Sequence, residues 1–503
     1  MHLSIVFFFL ISSQICLIFA KPRPIGLRAS STLRNLLFGT AIGVDILRNN
    51  SDRSNYQSNV TNNYNLVVPA SELKAIRIWH GENIYDWNDP DWLLGSTENS
   101  TGWVQNNLMK IRGHNLVWPK DTRIPLWLLA NETSITSDKA HSLLSEYIHT
   151  VVSRYRGKIP WWDVINEAID DVHNDRPFNL RDSFWFRKLG PDFLKYAFIY
   201  AHEADPNTKL YYNDYNIHST GFKTNQTIDL INWLRSEGAP VDGIGIQWHI
   251  DITTNVTRGD IHYQAAQQFI DQNLDFMVTE LDISMPTKGA YPRNSTDFQL
   301  QGLIYRSILD YVLYFSPKCR AMLTWGFTDR YSSIPERKSY TEGTGLPLDW
   351  LYFPKPAYTQ MQEELARILV DGIYRISLYS QPTKCLGVFN NSVELFDGQC
   401  NSTNQQWNIS WLDDGTYRLS SVNSPDQVLQ VQNATESIGQ IQMTKWTFDT
   451  SQEWAFSLLS DQAYHIVPRQ AWWRTMAMYN SSTVAIVDQS EGKSWTLTRL
   501  NSN

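Results

Sequence analysis

The stretch WDVINEAID, residues 162–170, contains an apolar run that ends in two polar side chains, Asn166 and Glu167. The β-branched pair Val164 and Ile165 predicts a strand buried on both faces, as in a parallel sheet. In barrels of alternating strands and helices, the reacting side chains lie where the strands end. Glu167 is therefore a candidate catalytic residue. An exposed loop glutamate, or a charge at a helix N-terminus, is the alternative interpretation of the same pattern.

Seven further apolar runs follow the same pattern, separated by longer amphipathic stretches. They read FGTAIGV at 38–44, NLVV at 65–68, IRGHNLVW at 111–118, LYYND at 210–214, VDGIGIQWH at 241–249, MVTELDI at 277–283 and AMLTWGF at 321–327. Strands that alternate with helices predict parallel βα units, and eight of them suit a closed (β/α)8 TIM barrel. An open doubly wound sheet would usually carry a glycine-rich phosphate turn after its first strand, which the sequence lacks. We therefore predict an α/β fold with this barrel over residues 30–370.

Beyond residue 371 the pattern changes to short strands and turn residues, with few helical periodicities. This texture predicts a second, all-β domain over residues 371–503. Three similar segments recur within it at a spacing of about forty to fifty residues. They read QQWNI at 405–409, QEWAF at 452–456 and KSWTL at 493–497. A threefold repeat of one Trp-centred unit is therefore predicted.

The composition argues against several classes of partner. The 503 residues contain 43 Lys and Arg against 51 Asp and Glu, which gives a net charge of -8. No basic run interrupts that balance, so we predict no nucleic-acid partner. The 20 tryptophans fit either core packing or stacking on the apolar faces of sugar rings, and both uses stay open. The sequence shows no clustered metal ligands and no cofactor motif, so neither a metal nor a cofactor is predicted.

The first twenty residues form one apolar run that ends at Ala20, before the basic stretch KPRP. This pattern predicts a secretory signal peptide over residues 1–20 and a secreted, extracellular mature chain. A membrane anchor is the alternative, although the run is barely long enough to span a bilayer. No later segment is apolar enough to cross one, so no membrane partner is predicted. Glycosylation sequons, for example at Asn131 and Asn225, agree with secretion.

Three cysteines remain once Cys16 is removed with the signal peptide. In an oxidising compartment, the nearby pair Cys385 and Cys400 is predicted to form a disulfide. Cys319 is then left as a buried free thiol. The spacing of these residues indicates no metal site.

A second carboxylate completes a candidate catalytic pair. In MVTELDI, the apolar residues 276–279 are followed by Glu280, again at the predicted end of a barrel strand. Glycoside hydrolysis needs two carboxyl groups, one to protonate the leaving oxygen and one to attack the anomeric carbon. No phosphate loop and no nucleophile elbow competes with this interpretation.

Six motifs then show a family resemblance. They are WDVINEA at 162–168, YYNDYN at 211–216, VDGIGIQWH at 241–249, VTELDI at 278–283, TWGFTD at 324–329 and PKPAY at 354–358. In order and spacing they resemble family 10 glycoside hydrolases, the endo-β-1,4-xylanases. The resemblance implies hydrolysis of xylan, or of a related β-linked glycan, by a retaining double displacement. Glu167 would be the acid/base and Glu280 the nucleophile.

Three polar side chains gain roles from chemistry that the resemblance supports. Asn166 precedes the acid and would bond the sugar 2-hydroxyl, a contact that strengthens at the transition state. Gln247 and His249 lie on the strand before that of the nucleophile and would orient Glu280. For His249 alone, a hydrogen-bonded core histidine is the alternative.

Four further residues resemble those that shape the sugar site of the family. His114 and Trp118, in RGHNLVW, would close the sugar site nearest the cleaved bond, and Trp325 would form its floor. Lys74 resembles a substrate-contacting lysine of the same site. Without the resemblance, Trp325 is equally a core tryptophan and Lys74 a solvated surface charge.

The sequence departs from the family pattern at several positions around that site. Ala70 and Ser71 stand where the family has a Glu-Asn pair before the lysine. Pro119 and Asp121 stand where it has His and Gln, and Ser333 stands where a Trp covers the site. Each lost polar or stacking partner typically costs about 1 to 3 kcal/mol of sugar binding. The natural polysaccharide therefore stays open.

The C-terminal repeats resemble ricin-type β-trefoil lectins, in which Gln-x-Trp is a structural motif. Cys385 and Cys400 fit the disulfide within one repeat of that fold. Sugar-binding repeats carry an Asp after the first strand, and here the equivalent residues are Gly387, Gln430 and Ala477. Sugar binding and simple packing against the barrel are therefore both open.

Together these observations predict a secreted retaining endo-β-1,4-glycanase that acts on xylan or a related polysaccharide. Two alternatives stay open: a carbohydrate-binding protein on a degenerate barrel, and a glycosidase redirected to another β-linked glycan. The paired carboxylates favour catalysis, because a scaffold that only binds sugar has no chemical need for both. The sequence indicates no particular oligomeric state.

Overall fold

A computed structural model describes residues 26–500, apart from 98, 287–294, 370, 413–415, 434–437, 461–462, 472–473 and 490–493. The predicted signal peptide and Lys493 of the third repeat lie outside the described residues. Within the described ranges, no helix combines the length and apolarity needed to cross a membrane.

Eight parallel strands form a closed barrel in the N-terminal part of the chain. They are β1 (Leu37–Ile42), β2 (Leu66–Pro69), β3 (Lys110–Val117), β4 (Trp161–Asn166), β5 (Lys209–Asp214), β6 (Gly243–Ile246), β7 (Asp275–Pro286) and β8 (Cys319–Thr324). Each strand pairs with the next along the chain, and β8 also pairs with β1, which closes the barrel. The predicted strands and the predicted fold class are confirmed. Short strands in the loops span Trp79–Gly81, Ile84–Tyr85, His249–Asp251 and Glu342–Gly343.

Helices connect the strands of the barrel. The longer ones span Leu27–Leu33, Arg53–Asn63, Asn88–Leu94, Ser137–Arg154, Phe184–Leu189, Asp192–Ala204, Phe222–Ser236, Ile261–Asp271, Ser295–Tyr314 and Pro356–Ala366, and shorter ones span Val44–Arg48, Ala75–Ile78, Trp103–Asn106, Leu126–Ala130 and Ile334–Arg337. Ser137–Arg154 begins where the Thr136 side chain accepts a hydrogen bond from Lys139 N (3.2 Å) and caps the helix. Its buried apolar residues recur every three or four positions, so one face packs in the core.

Alternate side chains of the barrel strands enter two separate apolar clusters. On β8, Ala321 and Leu323 belong to a small cluster of strand residues, whereas Met322 belongs to the large cluster that includes the helices. This is the period of two expected for a strand with both faces buried. It explains why the barrel strands read as continuous apolar runs.

The start and the end of the barrel are joined by side chains. The Thr324 hydroxyl on β8 donates to the Thr40 hydroxyl on β1 (3.1 Å). Arg34, which follows the first helix, donates three hydrogen bonds of 2.6 to 2.7 Å to carbonyls near the end of the last helix. Those carbonyls belong to Glu364, Leu365 and Arg367. The last carbonyls of a helix have no intrahelical partners, so Arg34 satisfies groups that would otherwise need water.

The second domain is a closed all-β barrel of trefoil type. Its strands span Gly372–Leu378, Gln381–Phe389, Ser392–Asp397, Gln406–Leu412, Thr416–Ser421, Gln427–Gln432, Gly439–Lys445, Trp454–Ser460, Ala463–Pro468, Arg474–Met478, Val484–Asp488 and Trp495–Arg499. Trp407, Trp454 and Trp495 are fully buried, and their indole N–H groups donate to strand carbonyls at 2.9, 2.9 and 2.7 Å. The three Trp-centred segments are thus equivalent in structure.

The cysteines and the linker also pack in defined ways. Cys385 and Cys400 form the predicted disulfide, with their Cα atoms 5.8 Å apart, and Cys319 is a buried free thiol as predicted. At the junction of the domains, Leu369 packs in the core of the second domain and its amide donates to the Tyr417 hydroxyl (2.7 Å). The linker is therefore held by the second domain.

Candidate active site

Glu167 and Glu280 are brought together at one end of the barrel. Glu167 follows β4 directly, and Glu280 lies inside β7, which is longer than predicted. The two residues are 9% and 5% exposed. An amide network links them, because Gln247 contacts Glu167, Asn213 contacts Glu280, and both amides donate to the Oδ1 atom of Asn166.

The backbone turns sharply at Glu167. Its φ of 56° lies in the left-handed region that few residues other than glycine adopt. Two hydrogen bonds hold this conformation: the Glu167 N–H donates to the Asn213 carbonyl (2.9 Å), and the Glu167 carbonyl accepts from Arg181 Nε (2.9 Å). Such strain persists where surrounding contacts enforce it, often at functional sites. The turn directs the carboxylate toward Gln247 rather than along β4.

Each oxygen of the Glu167 carboxylate accepts one hydrogen bond from a neutral donor. Gln247 Nε2 donates to Oε1 (3.0 Å), and Trp118 Nε1 donates to Oε2 (3.1 Å). The expectation that Gln247 orients Glu280 is met only by its backbone carbonyl, which accepts from Glu280 N (3.1 Å). The ladder between β6 and β7 uses the backbone of Gln247, which leaves its side chain to reach Glu167 across the barrel end.

Glu280 is held as an anion. Asn213 Nδ2 donates to Oε1 (2.7 Å), and His249 Nε2 donates to Oε2 (3.3 Å). Burial alone would raise the pKa of this carboxyl, but the hydrogen bond from His249, the charges of His114 and His249, and the bond from Asn213 lower the pKa to about 2. The carboxylate is therefore ionised over the whole physiological range.

His249 is the cation that faces this carboxylate. Its Nδ1 donates to Asp282 Oδ2 (2.9 Å), and Asp282 also pairs with Arg337. Burial lowers the pKa of His249, but the charge and hydrogen bond of Asp282, with the bond to Glu280, raise it to about 9. His249 therefore contacts Glu280 as a charged partner.

Lys74 lies between two indole rings beside the carboxylates. Its Nζ is 4.9 Å from the centroid of the Trp118 ring and 5.7 Å from that of Trp325. Burial lowers the pKa of Lys74 to about 8, although the charge of Glu280 raises it. Lys74 is thus part of the site and not a solvated surface charge.

His114 joins a buried ion-pair cluster next to Glu280. Its Nδ1 donates to Asp163 Oδ2 (2.9 Å), and Asp163 also accepts from Arg112 Nε (3.2 Å). The same Nδ1 lies 4.0 Å from Glu280 Oε1, and the His114 ring meets the Trp325 ring edge-on at 5.3 Å between centroids. Asp163 requires a proton on Nδ1 of His114, because a carboxylate only accepts hydrogen bonds.

Four residues of this site were not identified from the sequence. They are Asp163, Asn213, Asp282 and Arg337. The first three lie inside the quoted motifs, where each polar residue interrupts an apolar strand, and that interruption is the signal that would have found them. Arg337 reaches Asp282 from the end of the short helix Ile334–Arg337, 55 residues further along the chain, and no local pattern marks it.

The residues that depart from the family pattern do not all lie in the same place: two border a cavity and one supports a loop. Ala70 and Ser333 border a single cavity together with Trp325. Asp121 accepts from the Phe184 N–H (2.9 Å), so its carboxylate supports the loop before a helix. The altered positions therefore change the space near the carboxylates more than they change the carboxylates themselves.

The trefoil has no carboxylate at its three equivalent positions. The residues that directly follow the carbonyls bonded by the indoles are Gly387, Gln430 and Ala477, as the sequence comparison of the repeats predicted. Only Gln430 is polar, and its side chain bonds Ser451 Oγ (2.8 Å) and Gln442 Nε2 (3.1 Å).

Chemically, the barrel site combines two carboxyl groups in unlike surroundings. Glu280 faces a histidine cation, whereas the donors to Glu167 are an amide and an indole. Carboxyl pairs whose surroundings differ in this way divide the roles of nucleophile and proton donor. Among the residues that the structure describes, no group of His, Cys, Asp and Glu is arranged to hold a metal ion.

Comparisons with known sequences agree with this chemistry. Residues 26–364 match the profile of Glycosyl hydrolase family 10, and residues 369–444 and 403–489 match that of the ricin-type beta-trefoil lectin domain-like family. Endo-1,4-beta-xylanase B of Thermotoga neapolitana is 34% identical over 319 residues, which cover 62% of this chain and 84% of that protein. Endo-1,4-beta-xylanase 5 of Pyricularia oryzae is 32% identical over 334 residues, which cover 66% and 76%.

Solved structures give the same result for the barrel. Native xylanase 10B from Thermotoga maritima matches with a TM-score of 0.62 at 30% identity, covering 68% of this chain and 98% of that one. Xylanase 10B from Thermotoga petrophila RKU-1 in complex with xylobiose matches with a TM-score of 0.62 at 29% identity, covering 69% and 98%. The chain therefore belongs to glycosyl hydrolase family 10, as a polysaccharide-hydrolysing enzyme of the endo-1,4-β-xylanase type followed by a ricin-type β-trefoil lectin-like domain.

Proposed function

We propose that this protein cleaves β-1,4-linked xylan by a retaining double displacement in which Glu280 is the nucleophile and Glu167 the acid/base. The observation that carries the assignment is the asymmetry of the pair. Glu280 accepts a hydrogen bond from the cation His249, whereas Glu167 accepts hydrogen bonds from Gln247 and Trp118, which are neutral. An ionised carboxylate suits attack on the anomeric carbon, and a carboxyl with neutral donors suits proton transfer.

Each step then has a residue for each proton and bond. First, a Glu280 oxygen attacks the anomeric carbon, the bond to the leaving oxygen breaks, and Glu167 donates its proton to that oxygen. Second, Glu167 takes a proton from water, whose oxygen attacks the same carbon and displaces Glu280. Two inversions restore the original β configuration. Asn213 and His249 hold the Glu280 carboxylate in place for both steps.

Asn166 offers a donor that has no hydrogen-bond partner among the residues that the structure describes. Its Oδ1 accepts from Asn213 (2.7 Å) and Gln247 (3.3 Å), which fixes the orientation of the amide and leaves Nδ2 buried and unbonded. A buried donor without a partner costs about 1 to 3 kcal/mol, so a substrate oxygen is the fitting acceptor. The 2-hydroxyl of the sugar attacked by Glu280 suits this role, since that contact strengthens at the transition state.

Xylan is the proposed substrate because of the named relatives and the aromatic walls. The similar proteins are named endo-1,4-beta-xylanases, and one of the similar structures holds xylobiose. In this chain, Trp118 and Trp325 flank Lys74 beside the carboxylates and present flat apolar rings of the kind on which sugar rings stack.

We also propose that the mature protein is secreted. The apolar run at residues 1–20 has the form of a signal peptide, and the disulfide between Cys385 and Cys400 suits an oxidising compartment. N-terminal sequencing of protein collected from the medium of expressing cells would test this. A chain that begins near Lys21 is expected, and retention of residues 1–20 in a membrane fraction would contradict it.

The activity is tested with soluble arabinoxylan, mixed-linkage β-glucan and an aryl β-xylobioside. The full chain is compared with Glu280→Gln and with the control Glu203→Gln, whose side chain is 55% exposed. Xylan cleavage by the wild type and the control, but not by Glu280→Gln, supports the proposal. Cleavage of the aryl glycoside alone would show a redirected specificity. Binding to xylan with no cleavage of any substrate would refute catalysis and favour a carbohydrate-binding protein.

Azide separates the roles of the two glutamates. In Glu280→Ala, azide would attack the substrate from the face that the nucleophile occupied and give an α-glycosyl azide. In Glu167→Ala, azide would attack the glycosyl-enzyme formed on Glu280 and give a β-glycosyl azide. Proton NMR of the products distinguishes the two anomers, and the reverse outcome would exchange the assigned roles.

A further inference from the structure

A cavity of about 130 Å³ lies beside Trp325 and takes no part in the mechanism described above. It lies where β1, β2 and β8 end, and β1 pairs with both of the other two strands. Its walls include Ile46, Ala70, Trp325, Phe327, Tyr331 and Ser333. The cavity therefore opens at the same end of the barrel as the two glutamates.

Trp325 connects this cavity to the nucleophile. Its backbone N–H donates to the carbonyl of Leu281, the residue after Glu280 (2.9 Å). Its ring meets the rings of His114 and His249, at 5.3 and 6.2 Å between centroids. The cavity is thus on the Glu280 side of the site, where the sugars that stay on the enzyme while the leaving group departs would lie under the proposed mechanism.

The cavity offers little to a sugar hydroxyl. Four hydroxyl-bearing residues line it, and each hydroxyl already has a partner within the protein. The pairs are Tyr56 with the Gly43 N–H (3.2 Å), Thr328 with the Asp349 carbonyl (2.6 Å), Tyr331 with the Asp52 carboxylate (3.1 Å) and Ser333 with Arg337 Nε (3.2 Å). In these pairs Thr328 and Tyr331 donate, whereas Tyr56 and Ser333 accept and keep their O–H donors. The lining therefore suits a group that brings an acceptor and apolar carbons better than a hydroxyl, which also needs an acceptor for its own proton.

We propose that this cavity, the Ala70–Ser333 pocket, binds a short acyl ester, such as an acetyl group, carried by a sugar of the β-glycan chain. Its volume is somewhat below the roughly 150 Å³ of a cavity that holds one benzene molecule, so it fits a few carbon atoms and is small for a further pyranose. An ester brings a methyl group to bury and has no donor that needs a partner. The inference rests on the proposed function and names a preferred class of substrate for it.

Two small side chains keep the pocket open. Ala70 and Ser333 both line it, and both stand where the family pattern has a larger residue. Replacing either by leucine would place branched carbons in the space that the acyl group is to occupy. The pocket therefore depends on these two small residues, and a larger side chain at either position would fill it.

The test compares one set of xylo-oligosaccharides in two forms. kcat/KM is measured on β-1,4-xylo-oligosaccharides that carry O-acetyl esters and on the same preparation after alkaline deacetylation. The wild type is expected to prefer the acetylated form by roughly tenfold, the lower range for one extra small apolar group in a fitted pocket. Ala70→Leu and Ser333→Leu should bring this ratio to one or below. Ala130→Leu, an exposed position on the helix Leu126–Ala130, is the control and should leave the ratio unchanged.

The outcomes separate the pocket from the activity. A wild-type ratio of one or below, or a ratio unchanged in both Ala70→Leu and Ser333→Leu, overturns the pocket while leaving xylanase activity in place. Failure of the wild type to cleave either form refutes the proposed function and this inference with it. Activity on deacetylated oligosaccharides shows that each variant is folded. Ala70 and Ser333 are replaced in separate variants, so if one of them misfolds, the other still tests the pocket.

Discussion

The barrel and the trefoil are both built from repeated strands, but they differ in what their strand positions carry. At the end of the barrel, Asn166, Asn213, Gln247 and the two glutamates are buried, polar and bonded to one another. At the equivalent positions of the trefoil repeats, two residues are small and one is an amide, while the three tryptophans that organise the repeats are kept. Residues that specify a fold and residues that supply chemistry therefore vary independently.

The largest expected effect on activity comes from a substitution in the barrel. Glu280→Gln removes the anion that attacks the anomeric carbon, so kcat on xylan should fall on the order of 10⁴-fold or more. The trefoil should be unaffected, because no described contact joins it to Glu280. Initial rates and a thermal unfolding scan check both points. Residual activity within about a hundredfold of wild type would contradict the role of Glu280 as nucleophile.

A smaller loss is expected from Asn166→Ala. The variant lacks the donor assigned to the sugar 2-hydroxyl, so kcat/KM should fall by roughly 10²-fold, as for removal of one transition-state hydrogen-bond donor. A 2-deoxy aryl glycoside supplies the control, since it lacks the acceptor. Wild type and variant should hydrolyse that substrate at similar rates, and an equal loss on both substrates would assign Asn166 a purely structural role.

The pH profile should respond to His249→Asn. The variant removes the cation that lowers the pKa of Glu280 to about 2, so the acid limb of kcat/KM should move to higher pH. His149→Asn, at a side chain that is 37% exposed, is the matched control and should keep the wild-type profile. An unshifted acid limb in His249→Asn would show that Asn213 and the remaining neighbours are sufficient to keep Glu280 ionised.

The same pair links the stability of the barrel to pH. The pKa of His249 is raised to about 9, so its contribution is fully present below the ordinary histidine value near 6.5 and is lost as the pH rises through about 9. The pKa of Glu280 is lowered to about 2, so its contribution is present above the ordinary glutamate value and is lost as the pH falls through about 2. Unfolding temperatures of the barrel from pH 7 to 9.5 should therefore decline in the wild type and stay flatter in His249→Asn.

The smallest expected effect on activity comes from the trefoil. Replacing Cys385 and Cys400 by serine opens a loop with a sequence separation of 15 residues. The second domain should lose about 3 kcal/mol of stability by the loop-entropy argument. Xylan hydrolysis by the barrel should remain at the wild-type rate. Differential scanning calorimetry combined with the rate assay checks this, and a parallel loss of activity would show that the barrel depends on the intact trefoil.

Much of the fold could be predicted because its signals are local. Barrel strands buried on both faces appear as apolar runs, and Glu167 and Glu280 stand out where polar residues follow or interrupt those runs. The partner of the Gln247 side chain was not predictable, because it depends on which strands face each other across the barrel end. Arg337 was missed for a similar reason, since the short helix Ile334–Arg337 that brings it to Asp282 has no pattern of its own.

The cavity beside Trp325 was likewise not predictable from the sequence. The sequence shows that Ala70 and Ser333 are small, but a shared space appears only when β1 pairs with both β2 and β8 and brings the residues that follow these strands together. Residue identity thus predicts the loss of contacts, whereas the volume that results depends on the closed barrel.

Barrel closure has a consequence for how the chain is made. The contact between Thr40 and Thr324 joins residues 284 positions apart, and Arg34 meets its carbonyl partner in Leu365 331 positions away. At a synthesis rate of roughly 5 to 20 residues per second, β1 emerges roughly 15 to 60 seconds before β8, which is its other neighbour in the barrel besides β2. During that interval one edge of β1 has no native strand to pair with, which is the condition under which nascent chains associate wrongly. A chain whose synthesis ends before residue 319 would lack β8, and its barrel could not close.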